Sequence, residues 1–133
     1  MRTTVLDVDM SHTHIADISD DAARFVQGSG DGLLSVFAPH ATAGLALIET
    51  GSGSEPDLVA ALERLLPRDA RYQHQHGSAG HGADHLLPAL VAPSLTVPVG
   101  AGRMLLGTWQ RVVLVSLSRD NLHRRVRLSF LEG

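Results

Sequence analysis

The C-terminal stretch 94-SLTVPVGAGRMLLGTWQRVVLVSL-117, followed by 124-RRVRLSFL-131, carries four strand signals in close succession. Residues 94–99, 103–106 and 111–117 are rich in Val and Leu, and Gly100-Ala101-Gly102 is a turn between the first two. Residues 124–131 alternate: Val126, Leu128 and Phe130 set against Arg125, Arg127 and Ser129, the period of a half-buried strand. Strands this close together, joined by short turns, pair antiparallel. Working back toward the N-terminus, residues 2–9 alternate as a further strand, and Leu33–Phe37 reads as a buried strand stopped by Pro39. Ala43–Glu49 is another apolar strand, in which Gly44 allows close backbone approach. Ser19-Asp20-Asp21 reads as the cap of a short helix through Val26, ended by Gly28. Ser54-Glu55-Pro56-Asp57 reads as a capping box opening a helix whose apolar face is Leu58, Val59, Leu62, Leu65 and Leu66. Residues 67–84 read as a long loop, and 85–90 as a short helical turn. About seven strands with two or three helices make an α+β domain with mostly antiparallel sheet.

The 133 residues suit a single domain over 1–133. Hydrophobic residues are 44% and aromatics 4%, so the core is built from Leu, Val, Ala and Ile. A net charge of -3 argues against a nucleic-acid partner bound through a basic face. There is no cysteine, hence no disulfide framework, thiolate metal site or thiol nucleophile. There is no lysine either; all 11 basic residues are arginine. Schiff-base chemistry and a Walker-type phosphate loop are excluded, and any anion falls to arginine. With no apolar leader and no run long enough to span a membrane, the expectation is a soluble cytoplasmic protein.

Four of the eight histidines fall in 74-HQHGSAGHGADH-85. In an extended segment His74 and His76 share a face; if the segment after them is helical, His81 and His85 share one too. Two such pairs can converge on one ion. The competing reading is a solvated polar loop, or a weak adventitious metal site. His40 stands at a strand end in Pro39-His40-Ala41-Thr42-Ala43-Gly44. Glu49 reads first as the point where a strand meets water, and second as a site carboxylate. Trp109 reads as a core or interface anchor ahead of a stacking platform. Arg124 and Arg125 suit either a phosphate grip or a solvated edge-strand pair.

Taken in order, His40-Ala-Thr-Ala-Gly-Leu-Ala-Leu-Ile-Glu49, Tyr72-Gln-His74, His85-Leu-Leu-Pro-Ala-Leu, Ser94-Leu-Thr-Val-Pro98, Gly107-Thr-Trp-Gln110 and Arg124-Arg125 resemble the YjbQ-like family, also called the secondary thiamine-phosphate synthase family. The resemblance spans essentially the whole chain. It implies a compact α+β unit on a two-layer β structure, and a homotrimer with sites near subunit boundaries. It implies metal ligands at His40, His74 and His85 and an acid at Glu49, with Glu49 and His40 as catalytic groups. Thr42, His81, Trp109, Arg124 and Arg125 are then the candidates for contacting substrate phosphate. His76 and His81 fall outside the family's histidine positions. An acid often follows the family's glutamate, where this chain has Thr50-Gly51-Ser52-Gly53, and another follows the Gly-Thr-Trp-Gln strand, where it has Ser116. Three imidazoles suit a zinc-like divalent ion better than magnesium. The implied reaction joins a pyrimidine diphosphate to a thiazole phosphate. A slow transferase of that kind on a small phosphorylated molecule is one expectation. A metal-dependent hydrolase or lyase is another, and a non-catalytic ligand-binding module a third.

Overall fold

The computed structural model describes residues 1–133. Eight strands form two antiparallel sheets, with two helices of regular length and two single helical turns. The strands are β1 (Arg2–Asp9), β2 (Ile15–Asp17), β3 (Gly32–Phe37), β4 (Gly44–Ile48), β5 (Ser94–Gly100), β6 (Arg103–Met104), β7 (Arg111–Val115) and β8 (His123–Glu132). The larger sheet has the order β1-β8-β3-β5-β6 and the smaller β2-β7-β4. The helices are α1 (Ser19–Val26), α2 (Ser54–Leu65), α3 (His81–Asp84) and α4 (Leu87–Leu90).

The alternation of β3, β5 and β8 is resolved by burial. Leu34, Val36, Val97, Val99, Val126, Leu128 and Phe130 face inward and pack on Leu45, Val112 and Leu114 of the smaller sheet, with Ala22 and Val26 of α1. The other face of the smaller sheet is covered too: Val113, Val115 and Leu117 pack with Leu62 of α2 and Leu87 of α4. β7 is therefore buried on both faces. That is why Val112-Val113-Leu114-Val115 is a continuous apolar run instead of an alternating one. The α+β expectation, mostly antiparallel and in two β layers, holds; α2 and α4 add a helical cover.

The boundaries differ in five places. Residues 81–84, read as loop, form the helical turn α3, and the turn read over 85–90 is α4 at Leu87–Leu90. β2, the eighth strand, was not expected: only three residues pair with β7, too few to show a period. The 103–106 strand stops at Met104. At α1 the first amide is held by Asp17, whose Oδ1 accepts the Ser19 N–H at 2.9 Å, while Ser19 Oγ accepts the Val112 N–H at 2.7 Å. At α2 there is no capping box; Gly53 precedes the helix with φ 99°, and Glu55 turns back to accept the Gly51 N–H. Gly44 is required as read. A Cβ there would fall 1.9 Å from the Val91 carbonyl oxygen, because the 91–93 segment crosses the start of β4 and Leu45 N–H donates to Ala92.

Candidate metal centre

The 67–84 connection is long but tied down. Tyr72 Oη donates to the Pro67 carbonyl at 2.6 Å. Arg68 grips Asp84 with two hydrogen bonds of 2.5 and 3.2 Å, and Asp84 is buried. Glycines let the chain fold on itself here. Gly77 and Gly80 have φ of 76° and 89°, open to few other residues. A Cβ on Gly82 would fall 2.7 Å from the His74 carbonyl oxygen, so α3 packs directly on the extended segment carrying His74.

The result is a ring of imidazoles. One nitrogen from each of His74, His81 and His85 lies within 4.8 Å of the others. The rings of His74 and His85 are 4.2 Å apart, those of His81 and His85 4.5 Å, and His76 flanks His74 and His81 at 4.2 and 4.3 Å. The cluster borders an open cleft of about 270 Å³ lined by Asp69, Gln75, Ser78 and the loop glycines.

His81 is oriented by a carboxylate. Its Nδ1 donates to Asp120 Oδ2 at 2.9 Å, which leaves Nε2 as a lone pair. That Nε2 faces His85 Nε2 at 3.0 Å. His85 Nε2 can donate its own proton to that lone pair, and with the proton displaced both nitrogens are free to hold one cation. On a tetrahedral zinc with bonds of 2.0–2.1 Å, two ligand nitrogens stand about 3.3 Å apart. The spacing fits, and exposed His74 needs only a small movement to join. The electrostatics agree. His74 is held below the ordinary histidine value by desolvation and then by its histidine neighbours, and so is His85. Both are neutral at pH 7, the form that binds metal. Asp120 is held low by the Ser78 backbone N–H and side chain, then by His81, so it stays ionised as an acceptor.

Of the expected trio, the structure brings His74 and His85 together, and the third nitrogen in one chain is from His81. His40 stands outside this group. Its Nε2 lies against the β8 backbone, 2.9 Å from the Arg125 amide nitrogen and 3.2 Å from the Arg125 carbonyl oxygen. Burial, then the Arg124 charge, keeps the His40 pKa low. Glu49 is exposed just past β4. Trp109 is 69% exposed at the tip of a turn that Gly107 and Gln110 close on themselves, so it is no core anchor. The two terminal arginines divide: Arg125 is solvated beside Asp7 at 3.5 Å, whereas Arg124 is buried and donates to Thr42 Oγ1 at 2.8 Å. Asp120 was not anticipated. Where the resemblance implies an acid after β7 this chain has Ser116, and a carboxylate stands four residues further along the same connection.

A family model, UPF0047 protein YjbQ-like, matches residues 4–133. A UPF0047 protein of Mycobacterium tuberculosis is 63% identical over 133 residues, all of both chains. One from Archaeoglobus fulgidus is 36% identical over 110 residues, 83% of this chain and 86% of the relative. Among solved structures, a hypothetical protein from Aeropyrum pernix superposes with TM-score 0.91 at 27% identity over all of both chains. A conserved hypothetical protein from Thermus thermophilus gives 0.83 at 28%, covering 96% of this chain and 99% of that one. With the family model and the mycobacterial relative each spanning practically its whole length, the chain belongs to the UPF0047 YjbQ-like family.

Proposed function

We propose that the chain is a metal-dependent enzyme acting on a small phosphorylated molecule, with a zinc-like divalent ion held by His74, His81 and His85. The observation that carries this reading is the pair of facing Nε2 atoms 3.0 Å apart, one of them fixed as a lone pair by Asp120. Three protein nitrogens leave a coordination position open to water or substrate, as in catalytic zinc sites. An ion there would supply Lewis-acid polarisation of a substrate oxygen. The residues do the rest: Asp120 holds the His81 ring, and Arg68 locks Asp84 and so the turn that presents His85. Glu49 and His40 remain candidates for proton transfer, now at a distance from the three-histidine group.

The thiamine-phosphate synthase-like transfer is retained as a slow activity. Three imidazoles are a poor magnesium site, and magnesium with oxygen ligands is the usual device for a pyrophosphate leaving group. Hydrolysis or elimination on a single phosphorylated substrate is therefore the rival reading. Adding the two synthase substrates to zinc-loaded protein tests the transfer, while a panel of phosphoesters tests the rival. Turnover of the pair in the usual enzyme range, about 1–1,000 per second, would displace the single-substrate reading.

The homotrimer belongs to the same proposal. The outer face of the five-stranded sheet is uncovered, with Val5, Leu33, Phe37 and Leu131 each more than two-fifths exposed. A subunit contact there would bury them, and light scattering that finds a monomer at micromolar concentration removes it. No helix is long and apolar enough to cross a membrane; a cytoplasmic location is proposed on the sequence alone.

A further inference from the structure

His76 is the one imidazole of the cluster that the three-histidine centre leaves unused. His74 and His76 project to the same side, their rings 4.2 Å apart. Gln75 between them is drawn off to the Ala70 carbonyl, which its Nε2 reaches at 2.6 Å. The chain just beyond is held down on the cluster. A Cβ on Gly77 would fall 2.7 Å from His81 Nδ1, and the Ser78 N–H donates to the Asp120 carboxylate. His76 therefore sits over the other rings, 4.3 Å from His81, on the wall of the cleft.

The four rings make a compact group. Their pairwise centroid distances run from 4.2 to 6.2 Å, the longest being His76 to His85. Four imidazoles on one tetrahedral ion, each bonded at about 2 Å, stand about 5 Å apart from centroid to centroid. The observed spread brackets that value. His76 is nevertheless not one of the three whose nitrogens already lie within 4.8 Å of one another. The hydrogen bonds of the cluster run from Asp120 to His81 and on to His85, and His76 takes no part in them. Histidines that hold a metal firmly are oriented through their second nitrogen. An exposed ring without that support, beside a glycine in the left-handed region, is placed to reach the ion and to leave it again.

We propose that His76 is an exchangeable fourth ligand, competing with water or substrate for the open position of the centre. With His76 attached the ion is held by four imidazoles, closed as in a structural site; with His76 swung away, three nitrogens and an open position remain. The proposal rests on the metal reading of His74, His81 and His85 and adds its regulation: an incoming ligand must displace a tethered imidazole. Tethering gives His76 an effective concentration on the order of millimolar or more, so a weak bond is enough to favour the closed form. An outside ligand then meets only the open fraction, and its apparent affinity falls by that fraction.

The test is azide titration of cobalt(II)-reconstituted, full-length protein, followed by visible absorption, in wild type and His76→Ala. Azide binds at a vacant or water-filled position and shifts the cobalt bands. Both proteins are expected to hold about one cobalt per chain. Azide should bind at least ~10-fold tighter in His76→Ala, as for a centre closed in about nine-tenths of wild-type molecules. Free imidazole added to the variant should restore the wild-type spectrum. Equal azide affinity in the two cobalt-loaded proteins overturns the proposal and leaves the three-histidine centre standing. Loss of cobalt from His76→Ala also overturns it, since His76 would then be an obligatory ligand. A wild type that takes up no cobalt overturns the proposal and the metal reading together.

Discussion

His81 is the residue on which the centre turns. Its Nδ1–H is committed to Asp120 and its Nε2 faces His85, so its tautomer is fixed before any ion arrives. Carboxylates that orient ligating histidines typically contribute 10–100-fold in metal affinity. Asp120→Asn keeps the volume and loses the charge, and zinc affinity by competition titration should fall about 10–100-fold with the fold unchanged by circular dichroism. An unchanged affinity would make Asp120 a loop clasp for Ser78 and nothing more. The residue scale is also where the sequence was least legible. Arg124 and Arg125 are neighbours of one type, and only strand alternation sends one into the core and the other to water. His81, set outside the family's histidine positions, converges with His74 and His85 because one helical turn aligns 81 with 85.

At the level of elements, the centre depends on how closely α3 packs on the extended His74 segment. Gly82 sets that distance. Gly82→Ala would put a methyl 2.7 Å from the His74 carbonyl oxygen, and that segment must retreat. Overpacking of this kind costs about 1–3 kcal/mol. Zinc affinity should drop, while the core of the two sheets, remote in sequence from the loop, keeps the thermal unfolding transition cooperative. Retained affinity would mean the loop adapts freely and that the glycine is not what brings the rings together. Much of this scale was readable in advance. Gly44 announced a close approach and makes one, and β1, β3, β5, β7 and β8 all lie where Val and Leu patterns put them. α2 packs through Leu58, Val59, Leu62 and Leu66 of its expected face, while Leu65, expected with them, is exposed because it falls on the helix's last turn, turned to solvent. What escaped detection was short or cap-dependent. β2 pairs over three residues, and both helix starts are held by groups outside the helix, Asp17 at α1 and the Gly51–Gly53 turn at α2.

At the scale of the whole molecule, the two packed sheets set a stability that the histidines modulate with pH. His40, His74 and His85 each have a folded-state pKa below the unfolded value of 6.5, desolvation being the first cause in every case. The unfolded chain therefore takes up protons first. Metal-free protein should keep full stability above pH 6.5 and lose some as pH falls below it. A second loss should begin lower, toward 3.8, as Asp17 and Asp120, whose pKa values are held down, begin to protonate. Urea midpoints measured from pH 8 to pH 4 check this, and a flat profile down to pH 5 would contradict it. The double-sheet architecture was legible because burial on one face or on both leaves different patterns, alternating in β8 and continuous in β7. The site was half legible: histidine density marked the loop, but which imidazoles converge is a property of the folded backbone. The most direct measurement is zinc stoichiometry by elemental analysis of chelator-stripped, reconstituted protein as wild type, His81→Ala and His40→Ala. About one tightly bound zinc per chain in wild type and His40→Ala, and loss in His81→Ala, is the expected result; retention in His81→Ala with loss in His40→Ala would contradict the centre described.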